Sequence, residues 1–366
     1  MWRLTGPAVV LATLLLPIHC FADPFKDPLD LPAAITARAT TGLVLDIAQA
    51  GDRLVAVGEL GRVLVSTDKS ATWHQVETPV SVDLVAVDFP TPDQGWAVGH
   101  SGVVLHSENR GRTWSKQLDG RQAESVIRDY YRKRLDAGEA DMEPYLRDVD
   151  LNYQNGAEMP FLDVWFRNER EGFIVGAFGS ILKTQDGGRS WSPWMDRIEN
   201  PELLHLNAIA GIGSNVFIVG EKGRVWKLSD DGDRFVEHQT GYVGSFFGVI
   251  GESNSVLAFG LRGNAYMSMD GGGTWKALAL PTKATIYTGA VLADGRAVMA
   301  TQRGELVVGS LERADFTITP TSTNALSTGL TQLGADSIVV VGVRGIHRES
   351  LPQVRRASGI ESEKQR

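Results

Sequence analysis

Acidic residues recur along this chain at a spacing that, taken one at a time, reads as catalysis or metal binding. Asp68, Asp186 and Asp270, with Asn109 in the equivalent place, each lie two residues after a hydroxyl side chain and five before a tryptophan. The segments are Ser66–Trp73, Ser107–Trp114, Thr184–Trp191 and Ser268–Trp275. A carboxylate can act as a general acid or base, or ligate a cation. Within Ser-x-Asp-x-Gly-x-Thr-Trp, however, it has closer partners. It can accept the backbone N–H groups of its own loop, while Gly takes the left-handed position and the aromatic side chain folds back on the sheet. Asp68, Asn109, Asp186 and Asp270, with Trp73, Trp114, Trp191 and Trp275, are therefore expected to hold turns. Ser70 stands for the Gly in the first copy, Ser229–Phe235 is a degenerate copy, and Gly309–Phe316 is barely recognisable.

Other reactive constellations are missing. The chain has neither a Gly-x-x-x-x-Gly-Lys-Ser/Thr phosphate loop nor a Gly-x-Ser-x-Gly nucleophile turn. His100 and His106 do not have zinc spacing, and Asp230-Asp-Gly-Asp233 is too short for a calcium loop. No catalytic residue, metal site or cofactor is expected.

The elements that position these turns follow from glycine. Pairs with two residues between them occur at Gly58/Gly61, Gly99/Gly102, Gly176/Gly179, Gly220/Gly223, Gly260/Gly263 and Gly342/Gly345, and a seventh unit keeps only Gly304. An apolar run precedes each and an alternating run follows, which is a hairpin signal. With one strand-like segment upstream and a polar one after the tryptophan, each unit is four antiparallel strands in about 40 residues, the period of a propeller blade. The expectation is an all-β, seven-bladed propeller over 43–350. Asn109 to Asp186 is longer than the repeat, which places an insertion at 121–160 between blades 2 and 3. Ile127, Tyr130, Tyr131 and Leu135 form a helical stripe there, backed by Arg128, Arg132, Lys133 and Arg134. The reading favours a helical lid packed on the propeller, with a partner-docking arm as the alternative. The last unit lacks a convincing fourth strand. Ala34–Thr40, within an N-terminal segment 23–42, is available to supply it and close the ring, and Leu351–Arg356 competes for that place.

Read in register, the residue before the second Gly of each hairpin is Leu60, Ser101, Phe178, Lys222, Arg262, Arg303 and Arg344. Four consecutive blades thus carry a cation at one height. Lys222, Arg262, Arg303 and Arg344 are the candidate partner-binding residues, able to hold carboxylates or steer an acidic segment. The formal charge of the 366-residue chain is −8, which argues against a nucleic-acid partner. Residues 1–22 read as a secretory signal: Arg3, an apolar run from Ala8 to Leu16, and Cys20-Phe-Ala22 as cleavage site. Cleavage there would remove Cys20, the sole cysteine, and lipidation at Cys20 is the alternative. Residues 351–366 are read as a C-terminal tail, polar over 357–366.

Gly95-Trp-Ala-Val-Gly-x-x-Gly and the Ser-x-Asp-x-Gly-x-Thr-Trp segments resemble the Asp-box (BNR-type) propellers. They are most similar to the photosystem II stability/assembly factor family and its relatives in non-photosynthetic bacteria. The likeness covers about 43–350. It implies a seven-bladed lumenal or periplasmic protein that binds membrane-protein subunits during assembly and is no enzyme. The expected role is a non-catalytic scaffold or assembly factor whose partner is a membrane-protein subunit or envelope complex, with no small-molecule substrate. The location would be periplasmic, or the thylakoid lumen in a photosynthetic organism. The rival is a sialidase-like glycoside hydrolase or a glycan-binding propeller. A sialidase needs an arginine triad and a Tyr–Glu pair, and the Arg-Ile-Pro stretch of that family is absent from Asp30–Ile35.

Overall fold

The computed structural model describes residues 25–352 and Trp2. The signal-like segment with Cys20, and residues 353–366, lie outside the described residues. Seven antiparallel sheets follow one another in chain order, spanning 44–76, 84–118, 161–193, 206–239, 246–278, 286–320 and 327–350. Six have four strands and the seventh has three. The first strand of each blade is innermost. These strands, from Val44–Ala50 to Ser327–Gly334, touch their neighbours all the way round, and the last packs against the first. The ring therefore closes.

Sequence explains the layering. Second strands such as Arg53–Gly58 and Asn215–Gly220 are buried along nearly their whole length, because they are sandwiched between adjacent sheets. Fourth strands such as Thr317–Pro320 are mostly exposed and polar. Phe, Trp and Ile fill the spaces between blades 2, 3 and 4, where Trp96 stacks on Phe166 and His106.

In each hairpin tip the first position leans on the chain entering its own blade and the second Gly on the chain crossing to the next. At Gly99 the backbone is extended, and glycine is needed for space: a Cβ would lie 2.0 Å from the Asp83 carbonyl oxygen. At Gly223 conformation and space both demand it, with φ at +66° and the Tyr242 oxygen 2.2 Å from a Cβ. Gly345 shows how the ring is completed. Its neighbour is Thr40, whose carbonyl also accepts the Ile346 N–H at 3.3 Å. Residues 34–42 thus stand where a crossing from blade 7 to blade 1 would be. They form turns and no strand, so the expected ring-closing strand at Ala34–Thr40 is corrected. Ile35–Thr40 alternates in polarity, but the backbone folds on itself, with the Ala39 N–H on the Thr36 oxygen and the Thr41 N–H on the Arg38 oxygen, so it is not laid along a sheet edge. It is tied instead to blade 1, through Ala33 N–H to the Thr78 oxygen and Thr36 N–H to Gln75. Closure comes from packing of Ala39, Val44, Ile47 and Leu64 on Val339 and Val341.

Between blades 2 and 3 run two helices, α1 (Gly120–Asp136) and α2 (Glu143–Asn152). Asp119 caps α1 with Gln122 reaching back, a reciprocal capping box. Ile127 and Tyr131 are buried against blade 3, with Tyr130 and Leu135 partly buried beside them. The Tyr131 hydroxyl donates to Asp196 at 3.0 Å, and Arg134 pairs with Asp196 and Glu139. The basic face of α1 is thus partly consumed inside the molecule, since Arg128 also pairs with Glu124 and Asp150.

Candidate functional site

The tips lie at the end of the sheets where the crossings lie, as the contacts of Gly61 with Val80, Gly179 with Leu203 and Gly263 with Thr282 establish. The start of α1 is on the same face, with Gly120 against Ser101. Lys222 and Arg262 occupy the left-handed position of their turns, at φ 52° and 59°. Arg303 and Arg344 stand directly before Gly304 and Gly345, the same place in sequence, but neither takes the left-handed conformation, so the tips of blades 6 and 7 turn differently. All four are exposed. They differ also in pairing. Lys222 is paired with Glu202 of the preceding crossing, whereas Arg262, Arg303 and Arg344 have no carboxylate partner among the described residues. The free cations are therefore three, on blades 5, 6 and 7. Apolar side chains share the face: Leu60, Phe178, Leu261 and Val343 at tips, and Val243, 88% exposed, on the crossing after blade 4. A surface with unpaired guanidinium groups beside bare apolar groups suits an extended polypeptide carrying carboxylates.

The Asp boxes lie at the opposite end and are turns. Asp270 accepts the Thr274 N–H at 2.8 Å, the Thr274 hydroxyl at 2.7 Å and the Ser268 hydroxyl at 2.7 Å. Asp68 repeats this with Thr72 and Ser66, and Asp186 with Ser190 and Thr184. In the second copy Asn109 accepts the Thr113 N–H and donates to its hydroxyl. The Thr72 and Ser66 donors hold the Asp68 carboxyl down at about 2, and hydrogen bonds likewise hold Asp270 well below the usual carboxylate range. The Trp114 and Trp275 indoles donate to the Gly111 and Gly272 oxygens, and Trp73 to Ser70. The buried Trp191 N–H has no partner among the described residues.

The central channel, a cavity of about 470 Å³, is lined by Asp46 and Asp163, and Asp88 stands on the same ring of innermost strands; the sequence reading did not single out any of the three. Asp46 accepts Val87 N–H at 2.9 Å, Asp88 accepts Phe166 N–H at 2.7 Å, and Asp163 accepts Ile209 N–H at 2.7 Å. Each carboxyl stands on one innermost strand and bonds the backbone of the next, stapling blades 1 to 4. Asn207 and Thr328 do the same for the junctions to blade 5 and to blade 1. Burial pushes Asp46 and Asp88 up to about 7 and Asp163 to about 8. The available signal was an Asp inside an otherwise apolar first strand. Tyr287 lines the channel, but no arginine does among the described residues, so the triad a sialidase site requires is not assembled there. His106 is a packing residue, stacked on Trp96 and 2.8 Å from Gln94.

Comparison with known proteins follows from this geometry. The family model described as photosynthesis system II assembly factor YCF48 matches residues 141–316. A photosystem II assembly protein Ycf48 from Synechococcus sp. (strain JA-2-3B'a(2-13)) is 27% identical over 179 residues, which is 42% of this chain and 52% of that one. A photosystem II assembly lipoprotein Ycf48 from Synechococcus sp. (strain CC9902) is 29% identical over 215 residues, 58% of this chain and 54% of that one. The chain thus spans about half the length of these curated relatives. Among solved structures, YCF48 bound to D1 peptide superposes with a TM-score of 0.61 at 14% identity, covering 90% of this chain and 98% of that one. The WD40 propeller domain of Doa1 gives 0.60 at 8% identity, covering 88% and 95%. At such identities the structural likeness is one of fold.

Proposed function

We propose that this chain, whose repeats and fold resemble those of the photosystem II assembly factor-like family, is a non-catalytic, exported scaffold that binds a membrane-protein subunit during assembly of its complex. The observation that carries this reading is the set of unpaired guanidinium groups, Arg262, Arg303 and Arg344, exposed at the hairpin tips of three consecutive blades. A net charge of −8 makes a local basic arc on this face a feature that steers acidic segments. Leu60, Phe178, Val243, Leu261 and Val343 give the same face apolar contact area. Lys222 belongs to the arc by position and is recruited when Glu202 is displaced by a partner carboxylate. The two helices edge the face as an insertion between blades 2 and 3, packed on the propeller as a lid.

An exported location is supported by the signal-like residues 1–22 and by a relative named a lipoprotein. One solved relative is described as bound to a D1 peptide, and a peptide-binding tip face would serve the same kind of partner here. The test is capture from envelope extracts. The double variant Arg262→Glu/Arg303→Glu should keep its Tm, because neither side chain makes an ion pair, and should lose the partner. Undiminished capture by that variant would remove the arc from the account.

A further inference from the structure

The Gly345–Ser350 strand is the outer strand of the three-stranded blade, whereas every other blade has a fourth strand in that place. Hydrogen-bond alternation identifies what it leaves open. The Ile346 N–H turns away from its sheet neighbour and reaches Thr40, so Arg348 and Ser350 also direct N–H and C=O groups outward. Among the described residues nothing pairs with that edge beyond Ile346. An unpaired strand edge is a template for another strand.

We propose that this edge, with the groove below it, is a docking site for the chain's own segment 353–366. Spacing supports this occupant. In the six four-stranded blades the third and fourth strands are separated by six or seven residues. The same count past Ser350 brings the chain back to the edge at 357 or 358. The point of departure is fixed as well. Leu351 is buried and donates its N–H to the Asp336 oxygen at 2.9 Å, and the Pro352 oxygen accepts from the buried Arg296 guanidinium at 2.9 Å. Arg296 and Asp336 line a groove of about 1060 Å³ in which Asp294 and Asp336 are paired with Arg296, while Glu252 and Glu312, beside Arg313, have no ion-pair partner among the described residues. The chain leaves Pro352 beside this groove with its two unpaired carboxylates, and three residues later come Arg355 and Arg356. Charge complementarity and a tether of a few residues both favour this segment over a partner's strand, because tethering keeps its local concentration high.

Hydrogen exchange tests the site. In the full chain the Arg348 and Ser350 amides should exchange roughly tenfold more slowly than in a chain ended at Pro352. That truncation removes none of the described strands of the seven blades. Arg355→Glu/Arg356→Glu in the full chain should raise exchange at both amides in the same direction. Adding a synthetic 353–366 peptide to the truncated chain should restore protection. Equal exchange in the full and truncated chains would overturn the proposal, and so would protection that arises only when a partner protein is added.

Discussion

Carboxyl groups in this molecule are displaced in two opposite directions, and pH separates them. Asp46, Asp88 and Asp163 are raised by burial to about 7, 7 and 8. Their folded values exceed the unfolded one, so the folded state holds the extra protons. The stability they contribute is present below about pH 4 and is lost as pH rises to about 8. Asp68 and Asp270 are lowered by their turn donors, so their contribution is complete above about pH 4 and is lost only on strong acidification. The chain should accordingly melt at a higher temperature at pH 5 than at pH 8. Asp163→Asn, which cannot ionise, should flatten that slope in calorimetric scans, and an unchanged slope would show that Asp163 does not titrate in this window. Asp270→Ala should lower Tm while leaving partner capture intact, because its carboxylate serves only its own loop. The turn role of the boxes was readable from sequence, since every partner lies within four residues. The channel staples were not: Asp46 and Val87 are 41 positions apart, and only the ring brings them together.

Elements repeat this distinction between local and distant causes. Hairpin tips were legible because a positive φ and a crowded Cβ leave few alternatives to glycine. Gly223→Ala should cost about 2 kcal/mol in denaturant unfolding, given its left-handed backbone and the Tyr242 oxygen against it. The α1 stripe was legible from its period, and Ile127 and Tyr131 are indeed the buried pair. Ile127→Ala should destabilise by about 3 kcal/mol through the cavity it leaves. The alternation of Ile35–Thr40 allows a strand, and sequence alone does not tell a sheet edge from a crossing. The segment's contact with Gly345 involves a single backbone carbonyl at Thr40, which leaves no pattern in side-chain type. The pairing of Lys222 with Glu202 was also hidden, 20 residues apart across a turn.

At the scale of the whole molecule, seven blades put two kinds of surface at opposite ends. The box end is knitted into its own turns. The tip end carries free guanidinium groups, exposed apolar side chains and the flank of a helical pair. Binding at the tip end should weaken as salt rises from low to moderate concentration, because exposed cations separated by more than a Debye length of ~10 Å act through a screened field. The most direct test of which end works is site-specific photocrosslinking in envelope membranes, with a photoreactive residue at position 303 on a tip or at position 112 on a box. The account predicts a membrane-protein adduct from 303 and none from 112. An adduct from 112 alone would contradict it.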